Sequence, residues 1–355
     1  MSKDKDKEVD PDQEPGVAHP RETYAFTGHQ TAECMLAAAF AGPRMHHAWM
    51  LAGPKGVGKA TLAYRFARRV LGARHAGARA LDCDPTDPVA RRIASGAHGD
   101  IFTLRRGLND RGKPRSEITI DEARGLVTFF NLKPAEGGWR VAIIDAVDDL
   151  NRNAANAILK TLEEPPPKTV LLLLCHAPGA TLATIRSRCR RLDLRPLADA
   201  EVREAVATAR EGSVDDAAVL FAGGRPGRAI ALAAADVGAI HETMMRAFAD
   251  APREGARAFL KTAFARTGDR GQHLGIYLGL AREWLRQGCL AGFGIKATEG
   301  PEAALMTRLA TPEHAQKFAR AYEALLQIER ETQALDLDPL QAFGKVARVL
   351  EGAVA

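Results

Sequence analysis

The segment of this sequence that most clearly carries chemistry is the loop 53–61, which reads GPKGVGKAT. It fits the phosphate-binding template G-x-x-x-x-G-K-[ST] at every fixed position except the last, which is Ala60. Glycines allow backbone N–H groups to surround phosphate oxygens, and the lysine adds a positive charge beside the β- and γ-phosphates. The missing serine or threonine hydroxyl is the usual protein ligand of Mg²⁺. The residues predicted to hold the nucleotide are Gly53, Gly56, Gly58, Lys59 and Thr61.

A phosphate loop of this kind works with an acidic residue at the end of a neighbouring strand, which holds Mg²⁺. The apolar run Arg140–Ile144 predicts a buried strand and delivers Asp145 to its C-terminal end, where ligands bind in an open parallel sheet. ATPases of this class place a glutamate next, to polarise the attacking water, but here the next residue is Ala146. We therefore expect ATP with Mg²⁺ to be held poorly at this site, and we expect no hydrolysis by the chain itself.

The elements that position these residues alternate between strand and helix up to about residue 196. Apolar runs predict strands at His47–Ala52, Ile101–Leu104, Arg140–Ile144 and Thr169–Cys175. The helical spacing of apolar residues predicts helices at Thr31–Ala41, Thr61–Leu71, Asp121–Phe130 and Asn153–Glu164. This alternation is typical of an α/β fold with a parallel sheet and crossover helices. After Pro196 the strand signals end, and the remainder is predicted to be helical.

Composition and charge set wide limits on the partners and the compartment. The 355 residues are enough for two or three domains, and a net charge of +5 mildly favours an anionic partner. Five cysteines without C-x-x-C spacing argue against a disulfide framework and against a structural zinc site. No apolar run approaches membrane-spanning length, and the charged, proline-containing start of the chain lacks the apolar segment of a signal peptide. These features predict a cytoplasmic protein that begins with a disordered tail.

Two further motifs carry a resemblance to a known family. The run NAILKTLEEPP occupies residues 156–166, and Ser187-Arg188-Cys189 lies further along the chain. Together with the loop they make residues 24–194 resemble the bacterial DNA polymerase III clamp loader family, a group of AAA+ P-loop proteins. The GRPGR motif at 224–228 and the helical C-terminal third extend the resemblance. Within the family the chain most resembles the subunits whose ATPase motifs are degraded at the same places.

The resemblance implies three domains behind a disordered tail of residues 1–22. These are an AAA+ P-loop domain at 23–196, a small helical lid domain at 197–240 and an all-α collar domain for oligomerisation at 241–355. It further implies a hetero-pentameric ring with tau/gamma and delta subunits, which uses ATP held at subunit interfaces. That ring opens the sliding clamp and loads it on primed DNA, which is contacted through its backbone phosphates.

The resemblance also assigns roles to two arginines. Arg188, in the Ser-Arg-Cys motif, is expected to act as an arginine finger on ATP bound by the neighbouring subunit, where a guanidinium stabilises charge in the transition state. Arg228 matches the lid arginine that contacts a subunit's own nucleotide, although its glycine and proline neighbours fit a plain helix start equally well. Active members carry a threonine where this chain has Cys175-His176. Members that bind zinc carry four cysteines, of which only Cys83 remains, so no zinc is expected.

Two other functions stay open at the level of the sequence. The first is an active ATPase of the same class, like the tau/gamma subunits, against which Ala60 and Ala146 argue. The second is direct DNA binding, for which no recognition motif is present. Its candidate contacts with backbone phosphates are Arg65, Arg68, Arg69 and the basic loop Arg105–Arg115. The plainer interpretation of the three helix arginines is a solvated face.

Overall fold

The computed structural model describes residues 17–109, 112, 114–209, 214–239, 241–242, 274–295, 311–335 and 338–354. The chain divides into two compact units, the first Met1–Ser213 with Ala222–Ala231 and the second Val214–Phe221 with Leu232–Ala355. The domain boundaries predicted at residues 196 and 240 stay predictions. Of the predicted tail, residues 1–16 lie outside the described residues, as do residues 243–273 and 296–310 of the predicted collar.

The first unit is built on a five-stranded parallel sheet. Its strands are β1 (Ala48–Ala52), β2 (Ile101–Arg105), β3 (Arg140–Asp145), β4 (Thr169–Cys175) and β5 (Arg190–Asp193), in the order β2-β3-β4-β1-β5. Because every neighbouring pair runs parallel, the carboxyl ends of all the strands meet at one edge. The predicted α/β fold with a parallel sheet is therefore confirmed, and the ends of β1 and β3 come to the same edge.

Helices follow the strands in the order that the sequence predicts. They are α1 (Gln30–Ala41), α2 (Lys59–Val70), α3 (Pro88–Ala94), α4 (Ile120–Asn131), α5 (Arg152–Glu163), α6 (Ala183–Arg186), α7 (Asp199–Ala209), α8 (Asp216–Ala222) and α9 (Pro226–Ala234), with 3-10 turns at Pro20–Glu22 and Val147–Asp149. Side-chain caps define the helix starts: at α5, Oδ1 of Asn151 accepts a hydrogen bond from the N–H of Ala154 at 2.9 Å. At α4, Thr119 and Glu122 form a capping box.

The central strands are buried because helices cover both faces of the sheet. Successive residues of β1 point to opposite faces, so Trp49 packs in one apolar cluster with Phe66 of α2, and Met50 packs in the other with Ile158 of α5. Every residue of β4 is buried, as its unbroken apolar run predicts. This two-sided core fixes the sheet edge that carries the phosphate loop.

Among the described residues of the second unit, the longest elements are α10 (Leu274–Gly292), α11 (Pro312–Leu335) and α12 (Pro339–Val354), and α11 packs against both others. Trp284 of α10 meets Phe318 of α11 edge to face, with ring centroids 5.5 Å apart. A Cβ on Gly288 would lie 2.7 Å from the Phe318 ring, so a small residue is needed where these helices approach. The predicted helical C-terminal region is confirmed. Nowhere in the described ranges does a helix combine the length and the apolarity needed to cross a membrane.

The segment 17–28 contacts α2 through its 3-10 turn Pro20–Glu22, and the predicted tail boundary at residue 22 stays a prediction. Arg68 is fully buried beneath this segment. Its guanidinium donates hydrogen bonds to the carbonyl oxygens of Thr23, at 3.1 Å, and of Arg21. It also lies 4.1 Å from the centroid of the Tyr24 ring, a cation–π contact. The arginine therefore fixes the N-terminal segment instead of facing solvent.

Arg65 is the second helix arginine whose predicted exposure is wrong, since it is only 2% exposed. Its Nε donates to Oε1 of Glu33 at 2.9 Å, and its Nη2 lies 2.6 Å from Oδ1 of Asp82. Glu33 is itself completely buried, so the guanidinium is the charge partner that this carboxylate requires. Of the three arginines proposed as DNA contacts, Arg65 and Arg68 are buried, and Arg69 is exposed.

Candidate functional site

The loop between β1 and α2 is the phosphate-binding segment, and its geometry requires its glycines. Gly56 and Gly58 have φ angles of +83° and +106°, which other residues rarely adopt. A Cβ on Gly53 would lie 2.3 Å from the carbonyl oxygen of Leu194, so a side chain at this position would collide with the chain after β5. A Cβ on Gly58 would lie 3.0 Å from the Phe26 ring. Because these positions carry no side chain, the loop backbone can lie close to the chain after β5 and to the Phe26 ring.

Lys59 opens α2 and turns back onto the loop. Its Nζ donates hydrogen bonds to the carbonyl oxygens of Gly53 at 2.6 Å and Pro54 at 2.9 Å, and the residue is only 4% exposed. Burial lowers the pKa of the Lys59 ammonium from 10.5 to about 8, although Asp145 and Asp148 act in the opposite direction. The ammonium is therefore mostly charged at neutral pH, beside the loop that would surround a phosphate.

A cavity of about 490 Å³ lies over the loop, within the first unit. Predicted site residues that line it are Gly56, Gly58, Lys59, Thr61 and Asp145. Further polar lining comes from Arg106, Asp149 and His176, and apolar lining comes from Val17, Tyr24, Phe26 and Ile230. An apolar wall next to backbone N–H groups and cations has the chemistry to bind a base and its phosphates.

The residues around the loop do not fit the magnesium site of an active P-loop ATPase. The methyl group of Ala60 packs against the apolar core, so this position offers no oxygen. Ala146 is buried directly after Asp145, where a carboxylate would be needed. Within the described part of the chain, no group of three or more histidine, cysteine, aspartate and glutamate side chains could hold a metal ion. Without its hydroxyl ligand, Mg²⁺ would have Asp145 alone of its usual pair of protein ligands.

His176 follows β4, at the place where active family members are expected to carry a threonine. Its backbone N–H donates to Oδ1 of Asp148 at 2.8 Å, so Asp148 supports the end of the strand. Its Nδ1 atom is buried and has no hydrogen-bond partner. Burial, reinforced by the positive charge of Lys59, lowers the pKa of His176 to about 4. The imidazole is therefore neutral at physiological pH.

Arg228 lies in the first turn of α9, whose backbone touches the phosphate loop. The N–H of Gly227 donates to the carbonyl oxygen of Gly56 at 2.9 Å, and a Cβ on Gly56 would lie 3.0 Å from the backbone nitrogen of Arg228. Pro226, Gly227 and Ile230 line the cavity, whereas Arg228 is not among the lining residues. The structure therefore brings the GRPGR motif to the loop through its backbone.

Arg188 lies between α6 and β5, and it is not among the residues that line the cavity. Its Nη2 lies 2.6 Å from Oε1 of Glu163, the last residue of α5. Its Nη1 donates to the carbonyl oxygen of Thr184 at 2.8 Å. The side chain is 34% exposed, so the guanidinium is held at the surface and remains accessible.

Sequence reasoning missed Arg106 and the segment 17–27 as cavity residues. Arg106 lies in a stretch interpreted as a basic loop with candidate DNA contacts, yet it directly follows β2, whose end meets the same sheet edge as Asp145. The rule that ligands bind at the carboxyl ends of parallel strands could have found it. The segment 17–27 gave no such signal, because its charged, proline-containing flank resembles a disordered tail.

A family model described as DNA polymerase III, delta subunit, matches residues 28–198. The matched region runs from just before α1 to just before α7. It therefore contains the phosphate loop, Asp145 and Arg188.

Individual relatives agree with the family model. The DNA polymerase III subunit delta' of Pseudomonas aeruginosa is 41% identical over 144 residues, which cover 40% of this chain and 41% of the relative. The subunit delta' of Escherichia coli strain K12 is 33% identical over 220 residues, which cover 60% of this chain and 62% of the relative. The subunit tau/gamma of Haemophilus influenzae is 30% identical over 188 residues, which cover 53% of this chain and 26% of the relative. The chain thus spans less than two thirds of the length of these relatives.

Proposed function

We propose that the chain, whose residues 28–198 match the DNA polymerase III delta subunit family model, is a delta prime subunit and acts as the stator of a clamp loader. It occupies a ring with tau/gamma and delta subunits and completes the ATP site of a neighbour with Arg188. The ring loads the sliding clamp on primed DNA in the cytoplasm. The chain's own loop, Asp145 and Arg228 do not support hydrolysis.

The observation that carries this proposal is the position of Arg188. The cavity of this chain is lined by other residues, while Glu163 and Thr184 hold the Arg188 guanidinium at the surface. A guanidinium that does not line its own cavity can serve a nucleotide held by another subunit. There it would stabilise the charge that develops on the transferring phosphoryl group.

The missing catalytic groups support the same assignment. Ala60 and Ala146 supply no oxygen to hold magnesium or to polarise water. His176 has no hydroxyl to replace that of the expected threonine. Its imidazole is also neutral at physiological pH, so it brings no positive charge to a phosphate. The loop keeps the parts that bind phosphate and lacks those that drive its transfer.

An active ATPase, like the tau/gamma relative, is the alternative function. The intact glycines and Lys59 favour it, because they are the phosphate-binding half of such a site. The loss of two catalytic side chains disfavours it. A stator subunit accounts both for the retained phosphate-binding residues and for the lost catalytic ones.

DNA contact belongs to this proposal only in a weak form. Arg65 and Arg68 are buried and paired, so they are not available to phosphates of a primed template. Arg69 is exposed and could make a backbone contact of the salt-dependent kind.

The test is to reconstitute the full chain with tau/gamma and delta subunits and to measure ATP hydrolysis stimulated by clamp and primed DNA. Arg188→Ala should remove the contribution of the site that Arg188 serves, because loss of an arginine finger costs roughly 10³-fold or more at that site. Arg186→Ala is the matched control, since Arg186 is an exposed arginine of the same surface that donates to the carbonyl oxygen of Pro178.

Gel filtration of each assembly separates catalysis from association. We expect Arg188→Ala to assemble normally with a reduced rate, and Arg186→Ala to match the wild-type rate. An intact Arg188→Ala assembly that hydrolyses ATP at the wild-type rate would overturn the trans-acting role.

A further inference from the structure

Side chains with positive charge or polar nitrogen face the cavity from three different elements. Lys59 comes from α2, Arg106 from the residue after β2, and His176 from the residue after β4. The Nε atom of Arg106 lies 3.5 Å from Oδ2 of Asp149, and both side chains are partly exposed. This distance is longer than a good hydrogen bond, as in a weak ion pair between partly exposed groups.

The surroundings of His176 indicate a place that favours an anion. Its Nδ1 is buried and has no hydrogen-bond partner among the described residues. The positive charges of Lys59, Lys55 and Arg106 disfavour protonation of this imidazole, whereas the negative charge of Asp148 favours it. Cations from the loop and from the end of β2 therefore converge on the same part of the cavity.

Magnesium normally neutralises the phosphates in such a cavity, but the residues for it are incomplete. Ala60 packs on the apolar core, so position 60 supplies no hydroxyl ligand beside Asp145. The carboxylates of Asp145 and Asp149 also line the cavity and would repel an uncompensated phosphate. A nucleotide here needs positive charge from the protein itself.

We propose that the cavity binds the phosphates of a nucleotide without a divalent metal ion, and that the Arg106 guanidinium replaces Mg²⁺ as their counter-charge. This inference rests on the proposed function only in its premise that the loop binds nucleotide, and it is independent of Arg188. Lys59 and the loop N–H groups provide the remaining contacts.

The position of Arg106 suits this role. Arg105 pairs in register with Asp145, so Arg106 comes one residue beyond the acidic position at the end of β3. A guanidinium keeps its charge at any physiological pH, and its planar fork can donate two parallel hydrogen bonds to phosphate oxygens. Asp149 holds the side chain at the cavity until the greater negative charge of a polyphosphate replaces it.

The test is isothermal titration of the full chain with ADP and with ATPγS, in magnesium chloride and in EDTA. We expect the dissociation constant to change by less than about threefold between the two conditions. Arg106→Ala should weaken binding by roughly 10- to 100-fold, because a charge-assisted contact is lost. Arg105→Ala is the matched control, since Arg105 precedes it on β2 and does not line the cavity, and its affinity should stay at the wild-type value.

Each other outcome overturns the inference. Binding that EDTA abolishes would show that the site needs a metal, and wild-type affinity for Arg106→Ala would remove Arg106 from the site. A chain that binds neither nucleotide would reject the cavity as a nucleotide site, while the hydrolysis assay on Arg188→Ala would still decide the trans role. Arg106→Lys keeps the charge and should recover part of the affinity, which separates loss of the contact from loss of the fold.

Discussion

Glu163 holds the Arg188 guanidinium in one orientation at the protein surface. Its Oε1 contacts Nη2 of Arg188 at 2.6 Å, while Nη1 donates to the carbonyl oxygen of Thr184 at 2.8 Å. The end of α5 and the short helix α6 thus hold one guanidinium between them. A long side chain that is ordered before its partner arrives loses less conformational entropy on docking.

We expect Glu163→Gln to lower ATP hydrolysis by a reconstituted assembly by up to about fivefold, because an exposed ion pair contributes at most about 1 kcal/mol. Glu164→Gln is the matched control, as an exposed carboxylate one residue further along. In a chain that already carries Arg188→Ala, Glu163→Gln should have no further effect, because both act through one contact. A rate for Glu163→Gln equal to or above wild type would mean that Glu163 does not position the guanidinium.

The residues of the phosphate loop could be predicted from the sequence, because a spacing template ties each of them to a backbone position. The burial of Arg65 and the position of Arg106 at the cavity could not be predicted in this way. Arg65 lies off the apolar stripe of α2, and only the fold shows that Glu33 of α1 is buried against it. Arg106 sits in a stretch of basic residues with glycine, asparagine and proline, whose composition does not reveal its place at the edge of the sheet. Burial of a charge depends on partners distant in sequence, which one sequence does not reveal.

At the scale of the elements, ion pairs join α1 to α2, and arginine hydrogen bonds to carbonyl oxygens join the N-terminal segment to both. Glu33 of α1 has no exposed surface and contacts both Arg65 and Arg79. Arg79 also donates to the carbonyl oxygen of Gly28, and Arg65 to that of Tyr24. These guanidinium groups therefore hold in place the N-terminal segment, which supplies part of the apolar wall of the cavity.

We expect Glu33→Gln to lower the free energy of unfolding by about 3 kcal/mol, because it removes the fully buried one of the two carboxylates that pair with Arg65. Urea denaturation of the full chain, followed by circular dichroism, measures this change. Glu22→Gln is the control, since Glu22 is 54% exposed and its contact with Arg21 is 3.9 Å long. Equal stability of the two variants would show that the ion pairs of Glu33 contribute nothing net.

Most elements could be predicted, but β5 could not. β1, β3 and β4 are continuous apolar runs, which mark strands buried on both faces. β5 reads Arg-Arg-Leu-Asp, and only Leu192 is buried, because it is an edge strand with one neighbour. The 3-10 turn at Pro20–Glu22 was missed for a similar reason: what orders it is contact with α2, not its own composition.

At the scale of the whole molecule, the sequence indicates more about the N-terminal part, which carries the motifs, than about the C-terminal helices. The family match ends at residue 198, and the helices α10–α12 lie beyond it. Their apolar spacing predicts that they are helical and pack, as Trp284 and Phe318 do. The same spacing does not distinguish a core stripe from a surface for a neighbouring subunit, so the collar role stays a prediction.

The central claim is that the chain takes part in hydrolysis through Arg188 and not through its own loop. The most direct measurement is ATP hydrolysis by a reconstituted assembly in which the phosphate-loop lysine of every partner subunit is replaced, so that the intact loop belongs to this chain. We predict only background hydrolysis, with or without clamp and primed DNA. A rate above background that Lys59→Ala abolishes would contradict the account, because the chain would then be an ATPase in its own right.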